Sequence, residues 1–501
     1  MANKVVFTGR PFHFIGIGGI GMSALAYILA KRNLPVSGSD IRSSHITQRL
    51  QSVGAHIFNT QEATNLDFCL PTPSSDSFAT PPDSYSPLSS TESPSRLSTL
   101  SPSVTAQGRS PLLPQVICST AISTSNTEYA AALEKGCPIF HRSDVLAALI
   151  QDYQSIAVAG THGKTTTSSL IGYLLLQAGL DPTVVVGGEV NAWEGNARLG
   201  QSPFLVAEAD ESDGSLSKLS AMIGVITNIE LDHPDHYQNL DEVVQIFEHF
   251  ASQCETVVGC IDCETVRNKI QPQITYSLNP DSNADYSVQN VVYQAWGTTA
   301  EVLEQGKVLG TMRLPLLSQH NLSNALAAVA VGRALGLAFP VIAEGLTTFE
   351  GAKRRFEYRG EVNGIVLIDD YAHHPSEIRA TLAAARLRVA SSDNPMQRVV
   401  AIFQPHRYNR TKTFLEDFAV SFNDADLIVL TDIYSAGEAN LQNITGQQVA
   451  NAIAIHHPHV IYSPHLESLK TFLQELLQPG DLAVFLGAGN LNQIIPEMME
   501  S

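Results

Sequence analysis

Two glycine-bearing turns, each set between an apolar run and a helical pattern, are the places where this chain could hold phosphate. In FIGIGGIGMS, Gly16, Gly18, Gly19 and Gly21 follow a strand-like run and open a helix, so backbone N–H groups and the helix N-terminus can receive an anion. Asp40 stands about twenty residues beyond, where a dinucleotide enzyme keeps its ribose-binding acid. Alone, this spacing predicts NAD. Its physics asks only for a phosphate at a helix N-terminus beside a hydroxyl-rich sugar, which any nucleotide diphosphate satisfies. The second turn, SIAVAGTHGKTTTSSLIGYLL, carries Gly160, Thr161, His162, Gly163, Lys164, Thr165 and Thr166. Its amides can cradle phosphate oxygens, Lys164 can neutralise terminal phosphates, and a threonine hydroxyl can reach Mg²⁺. Val158 stands where strict P-loop spacing calls for glycine.

A triphosphate loop needs metal ligands nearby. PFLVAEADESDGS ends in Glu208, Asp210, Glu211 and Asp213, and AMIGVITN leads into Asn228, Glu230, Asp232 and His233. Two parallel strands would deliver these groups to the sheet edge that bears Lys164. Mg²⁺ prefers oxygen, which suits Thr165 and Glu208; His233 is a less usual ligand. Asn321 and Asn324 share a face at the start of a helix with His320, where they could read an adenine edge or cap the helix. In DDYAHHPSEI and FQPHRYNRTKTF, Asp369, Asp370, Tyr371, His373, His374, His406, Arg407 and Arg410 follow two buried strands. Both charge signs at strand ends suit an anionic substrate, with the arginines as carboxylate or phosphate forks. The adjacent histidines lack a third spaced ligand for zinc, and the CxxC of Cys260 and Cys263 lacks a partner motif. His456, His457 and His459 have no strand-end context and read as surface residues.

The elements that must position these groups alternate as in α/β domains. The pattern divides the 501 residues into 1–152, 153–350 and 351–501, and the last block holds four strand runs, GIVLIDD, RVVAIFQ, DLIVLTDIY and DLAVFLGAG. Between Pro71 and Pro114 the composition turns to Ser, Pro and Thr, too poor in apolar residues to offset ordering entropy, so a disordered surface insertion is expected. A net charge of −19 opposes nucleic-acid and anionic-membrane partners, so any phosphate site must be local. Six scattered cysteines without a secretory pattern read as reduced thiols in the cytoplasm, and no apolar run is long enough to span a bilayer.

HFIGIGGIGMSALA, SGSD, STAI, AGTHGKTTT, AEADESD, TNIELDHPDHY, HNLSNALAA, KRRFE, DDYAHHPSEI, FQPHRYNRT, YSAGE and GAGN, in this order, resemble the Mur ligases over nearly the whole chain outside the Ser/Pro-rich stretch. The resemblance is closest to the branch that joins L-alanine to UDP-N-acetylmuramate. It implies a Rossmann-like first domain, a P-loop-type central ATPase domain and a Rossmann-like C-terminal domain. The first glycine loop would then hold the diphosphate of a UDP-sugar, with Asp40, Ser119, Thr120 and His162 near that substrate, and no hydride would be transferred. ATP would lie on Gly160 to Thr166 with Asn321, Asn324 and Arg355, and Mg²⁺ on Thr165, Glu208 and His233. Tyr371, His373, Arg407 and Arg410 would frame the carboxylate and the incoming alanine, with Lys164, His233, His373 and Arg407 as the catalytic set. A monomer or homodimer in the cytoplasm is expected. A recycling ligase that attaches a tripeptide to the same sugar would share the ATP loop. A nicotinamide oxidoreductase would leave GTHGKTTT unused, and a bare P-loop ATPase would leave the first glycine loop unexplained.

Overall fold

The computed structural model describes residues 4–69, 113–294, 297–390 and 396–500. The Ser/Pro-rich stretch, apart from Leu113 and Pro114, lies outside the described residues. Three sheets carry the chain. In the first, β1 (Phe12–Ile15), β2 (Val36–Ser39), β3 (His56–Phe58), β4 (Gln115–Cys118) and β5 (Ile139–His141) are all parallel in the order β3-β2-β1-β4-β5. The apolar run FHFI is fully buried as the central strand, and the glycine turn leads from its carboxyl end into α1 (Ile20–Lys31). After β5 the chain enters α2 (Arg142–Gln151), whose N-cap His141 and third residue Asp144 form a reciprocal capping box.

The central sheet is built around β6 (Gln154–Ala159), buried from Ser155 onward. It continues with β7 (Thr183–Val190), β8 (Gly195–Arg198), β9 (Phe204–Glu208), β10 (Ile223–Ile226), β11 (Thr256–Cys260) and β12 (Ile274–Ser277). A meander of β13 (Tyr286–Gln294), β14 (Gly297–Glu304) and β15 (Lys307–Leu314) completes it in antiparallel pairing. The acid-bearing strands β9 and β10 flank β6 on either side, both parallel to it, with Val158 opposite Glu208 and Val225. Val158 is therefore a paired core residue of β6, and the phosphate turn starts only at Gly160. That explains the missing glycine. Helix α3 (Lys164–Gln177) leaves the turn, and α4 (Gln319–Ala334) packs beside it; both bury long runs of residues, so the turn is clamped from behind.

The third sheet has the order β16-β17-β21-β18-β19-β20, from β16 (Glu357–Val362), β17 (Ile365–Asp370), β18 (Arg398–Phe403), β19 (Leu427–Leu430), β20 (Val460–Tyr462) and β21 (Asp481–Leu486). The four apolar runs expected as strands are its parallel centre. Helices α5 (Pro375–Val389) and α6 (Tyr408–Thr413) follow β17 and β18 and carry the histidine and arginine motifs at their starts. One surface expectation is corrected: His457 is buried and its Nε2 bonds the Ala425 carbonyl oxygen at 3.0 Å, because the turn after residues 446–454 folds back over the sheet edge.

Gly160 has φ +140°, and a Cβ there would overlap the Thr227 hydroxyl, which donates to the His162 carbonyl at 2.6 Å. Gly160→Ala should thus force the turn out of register with β10 and cost about 1–3 kcal/mol. A lowered urea midpoint for the central domain is expected; an unchanged midpoint would show that the turn has room to spare.

Candidate active site

Lys164 is the first residue of α3, and its ammonium is folded back into its own turn. Nζ donates to the carbonyls of Gly160 at 2.7 Å and Thr161 at 3.0 Å, and pairs with Glu211 at 2.9 Å. Burial opposes the charge on Lys164, but Glu211, Asp210 and Glu208 outweigh it and raise its pKa. Burial pushes the Glu211 carboxyl up to about 7 despite the lysine. Asp210 also loses solvation, yet Lys164 and Arg142 hold it at about 2. Glu211 is the partner that the sequence reading did not single out; Glu208 instead accepts from the Gly187 amide at 2.7 Å.

The oxygens of Thr165 and Glu208 fit a hard divalent cation. Both sit under β7, where the chain passes so closely that a Cβ on Gly187 would come 2.5 Å from Glu208 Oε1 and one on Gly188 2.9 Å from Thr165 Cγ2. Only glycine permits that cradle. His233, with φ +53°, points its Nε2 toward Glu211 at 3.8 Å, and burial lowers its pKa, so the ring is neutral and able to ligate.

Beside the turn lies a cavity of about 610 Å³, bordered by His162, Gly163, Asn321, Asn324 and Arg355. Ser318, rather than either asparagine, caps α4. Asn321 Nδ2 donates to the Leu317 carbonyl at 2.8 Å. Asn324 is buried against Gly163 and accepts from the Thr167 hydroxyl at 3.0 Å, so it also braces the phosphate turn. Arg355 reaches from the third sheet to the Thr165 hydroxyl at 3.4 Å.

The arginines of the third sheet face the acids that follow β10. Arg410 pairs with Asp232 at 2.9 Å and touches His233 Nδ1 at 3.4 Å, while Arg407 pairs with Asp235 at 2.7 Å. Burial alone would raise the Asp232 pKa; Arg410 reverses this and holds the carboxyl far below the usual range. Tyr371 lies under the guanidinium groups of Arg354 and Arg355. His373 Nδ1 donates to the Tyr371 carbonyl at 2.9 Å, which leaves Nε2 as the unprotonated nitrogen, and burial lowers its pKa to about 4. His406 stands at 5.7 Å from that ring, and its buried Nδ1 has no hydrogen-bond partner among the described residues.

His162, in the phosphate turn, is held between Glu377 of α5 at 3.3 Å and Glu230 at 3.5 Å. Burial disfavours its charge, but the two carboxylates prevail and hold its pKa at about 10. The structure thus brings Lys164, Thr165, Glu208, His233, Arg355, Arg407, Arg410 and, through Glu377, His373 to one seam between two sheets.

Of the residues named for a sugar nucleotide, His162 lies in the phosphate turn of the central sheet and the others stand by the first sheet. Asp40 accepts from the Gly18 amide at 2.9 Å, bracing the glycine turn, and a Cβ on Gly18 would come 2.8 Å from that carboxylate. Gly16 adopts φ +78° against Ile122, in the turn that contains Ser119 and Thr120. Gly19 N-caps α1 without a side-chain hydrogen bond, so the amides of its first turn, including that of Gly21, are left for another acceptor.

Three α/β domains around a lysine-bearing phosphate turn faced by arginines define a nucleotide-dependent ligase. The chain belongs to the Mur ligase family: residues 11–154 match the Mur ligase family catalytic domain, 158–332 the Mur ligase middle domain, and 354–489 the Mur ligase glutamate ligase domain. It is 66% identical to the UDP-N-acetylmuramate–L-alanine ligase of Gloeothece citriformis, over 100% of this chain and 99% of that one. The enzyme of the same name from Nostoc punctiforme is also 66% identical, over 100% and 98%. The UDP-N-acetylmuramate-alanine ligase MurC of Thermotoga maritima superposes with a TM-score of 0.76 at 26% identity, covering 98% of this chain and 99% of that one. A murein peptide ligase of Psychrobacter arcticus shares the fold, with a TM-score of 0.67 at 20% identity over 98% of each chain.

The environment of His162 makes a pH prediction. Its folded pKa lies above the free value of about 6.5, so the stability it contributes is complete below that value and is lost as pH rises through about 10. NMR of histidine-labelled protein should show the His162 ring still doubly protonated at pH 8. A midpoint near 6.5 would contradict the two-carboxylate clamp.

Proposed function

We propose that this protein joins L-alanine to the lactyl carboxylate of UDP-N-acetylmuramate at the expense of ATP, giving UDP-N-acetylmuramoyl-L-alanine, ADP and phosphate for peptidoglycan synthesis. The observation that carries this reading is the 66% identity, along the whole chain, to ligases of that name. Relatives down to 59% identity bear the same L-alanine ligase name, which favours this reading over the tripeptide-adding one.

A carboxylate and an ammonium form a salt rather than an amide, so the carboxylate must first gain a leaving group. In our reading a lactyl oxygen attacks the γ-phosphorus, the bond to ADP breaks, and an acyl phosphate forms. The alanine amine then attacks the carbonyl carbon, gives up a proton, and phosphate leaves from the tetrahedral intermediate. Lys164 releases its own carbonyls and Glu211 to meet the β- and γ-phosphates. Arg407 and Arg410 exchange Asp235 and Asp232 for the carboxylates of alanine and the sugar, and Tyr371 frames the same pocket. His373 stands beside Tyr371 in the same pocket, where its neutral Nε2 can accept a hydrogen bond from the incoming amine. Asn321, Asn324 and Arg355 border the nucleotide. Thr165, Glu208 and His233 would hold Mg²⁺, which supplies charge neutralisation for the transferring phosphoryl group.

The diphosphate of the sugar nucleotide belongs, on this reading, at Gly16 to Gly21, with Asp40, Ser119 and Thr120 toward the uridine. His162 sits where the two nucleotide substrates approach. The catalytic parts divide as 1–152 for the UDP-sugar, 153–350 for ATP and 351–501 for the amino acid. No helix among the described residues is long and apolar enough to cross a membrane, and our reading is of a cytoplasmic enzyme, monomeric or homodimeric.

Phosphate release should require ATP, Mg²⁺, UDP-N-acetylmuramate and L-alanine together, with a product mass heavier than the sugar nucleotide by one alanine residue. Release with the stem tripeptide in place of alanine would assign the protein to the recycling branch.

A further inference from the structure

Arg142 opens α2, and its guanidinium spans the seam between the first sheet and the central one. Nη1 lies along the first turn of α1, 3.5 Å from where a Cβ on Gly21 would sit. Nη2 donates to Asp210 Oδ2 at 3.0 Å and to Asp213 Oδ2 at 3.1 Å. The residue after Asp210 is Glu211, the partner of Lys164. The helix start is itself fixed: the His141 amide donates to Asp144 Oδ2 at 2.8 Å, and Lys218 binds the other oxygen of that carboxylate at 2.7 Å. One short chain of charges therefore runs from the glycine turn of the first sheet to the lysine of the phosphate turn.

We infer that Arg142 is a positioning residue that couples occupancy of the first glycine turn to the conformation of the phosphate turn, so that the two nucleotides bind cooperatively. The inference rests on the proposed seating of the UDP-sugar diphosphate at α1. A diphosphate at that helix start brings negative charge to the Nη1 side of a guanidinium whose Nη2 already serves two carboxylates. The guanidinium is then shared between opposing anions, its hold on Asp210 slackens, and the Asp210–Glu211 segment gains freedom to follow Lys164 and a cation toward incoming phosphates. An arginine can do this because its fork presents separate nitrogens to two partners; a lysine offers a single point charge.

Binding calorimetry tests it, with UDP-N-acetylmuramate titrated in the presence and absence of Mg²⁺ and a non-hydrolysable ATP analogue. In the parent protein each nucleotide should tighten the other by about tenfold, by the same factor in both orders. In Arg142→Lys and Arg142→Gln that factor should fall to about one, and the KM for the sugar nucleotide should rise more than kcat falls. Lys218→Ala removes a contact of the same seam that does not reach α1, so it should keep the coupling; equal loss in Lys218→Ala would reduce Arg142 to a docking contact and overturn the inference. Coupling retained in both Arg142 variants, or absent from the parent protein, would also overturn it. Failure of the parent protein to bind the sugar nucleotide at all would instead remove the functional reading beneath it.

Discussion

A lysine at the start of the helix that follows the central strand and its glycine turn, buried beside acids, is the constraint around which the rest of the structure is arranged. Lys164 must stay charged to meet phosphate, and out of water it can do so only with partners in contact. The fold supplies them from three sources: the carbonyls of its own turn, Glu211 from the end of β9, and the general field of Asp210 and Glu208. This is why β6 must lie between β9 and β10, and why Gly160 and Gly163 must take left-handed conformations that leave the carbonyls facing inward. A ligand carrying phosphates competes with these contacts rather than filling a vacuum, so the turn remains folded before it is used.

The same logic governs the seam with the third sheet. In a chain of net charge −19 the site cations are not left in a diffuse positive field; Arg407, Arg410 and His162 are matched with acids across the seam. Arg410 with Asp232, Arg407 with Asp235, and His162 between Glu230 and Glu377 hold the sheets together by interactions that substrate carboxylates and phosphates can replace. Replacement of one anion by another costs less than creation of a bare charge. Substrate anions can therefore take the place of these acids without leaving a buried cation unpaired.

Much of this was legible along the chain because the signals are local. A strand that runs into GIGGIG or GTHGKTTT, acids at the ends of two apolar runs, and HH or HR after two more are statements about neighbouring residues. What escaped was set by pairing across distance. Glu208 and Glu211 are equally good acids in sequence, and only the fold separates them: Glu208, the last residue of β9, meets the Gly187 amide of β7, while Glu211, in the turn beyond, meets the lysine. Val158 looked like a defect in a loop and is a strand residue. The clamp on His162 joins residues 68 and 215 positions away, from two different domains, and Arg142 meets acids at separations of 68 and 71. The meander of β13, β14 and β15 left an alternating pattern, as in TTAEVLE and KVLGTMRL, that a period-two search would have found. His457 carried no local sign of burial.

On the proposed reading these charges are assembled to let a carboxylate attack a triphosphate, and transfer of labelled oxygen tests that most directly. UDP-N-acetylmuramate carrying ¹⁸O in its lactyl carboxylate would be turned over with unlabelled ATP, Mg²⁺ and L-alanine, and the released phosphate analysed by mass. An acyl phosphate intermediate requires one ¹⁸O in each phosphate formed. Unlabelled phosphate alongside normal amide formation would mean that the carboxylate never bonded to phosphorus, and would contradict the role assigned to Lys164 and the arginines that face it.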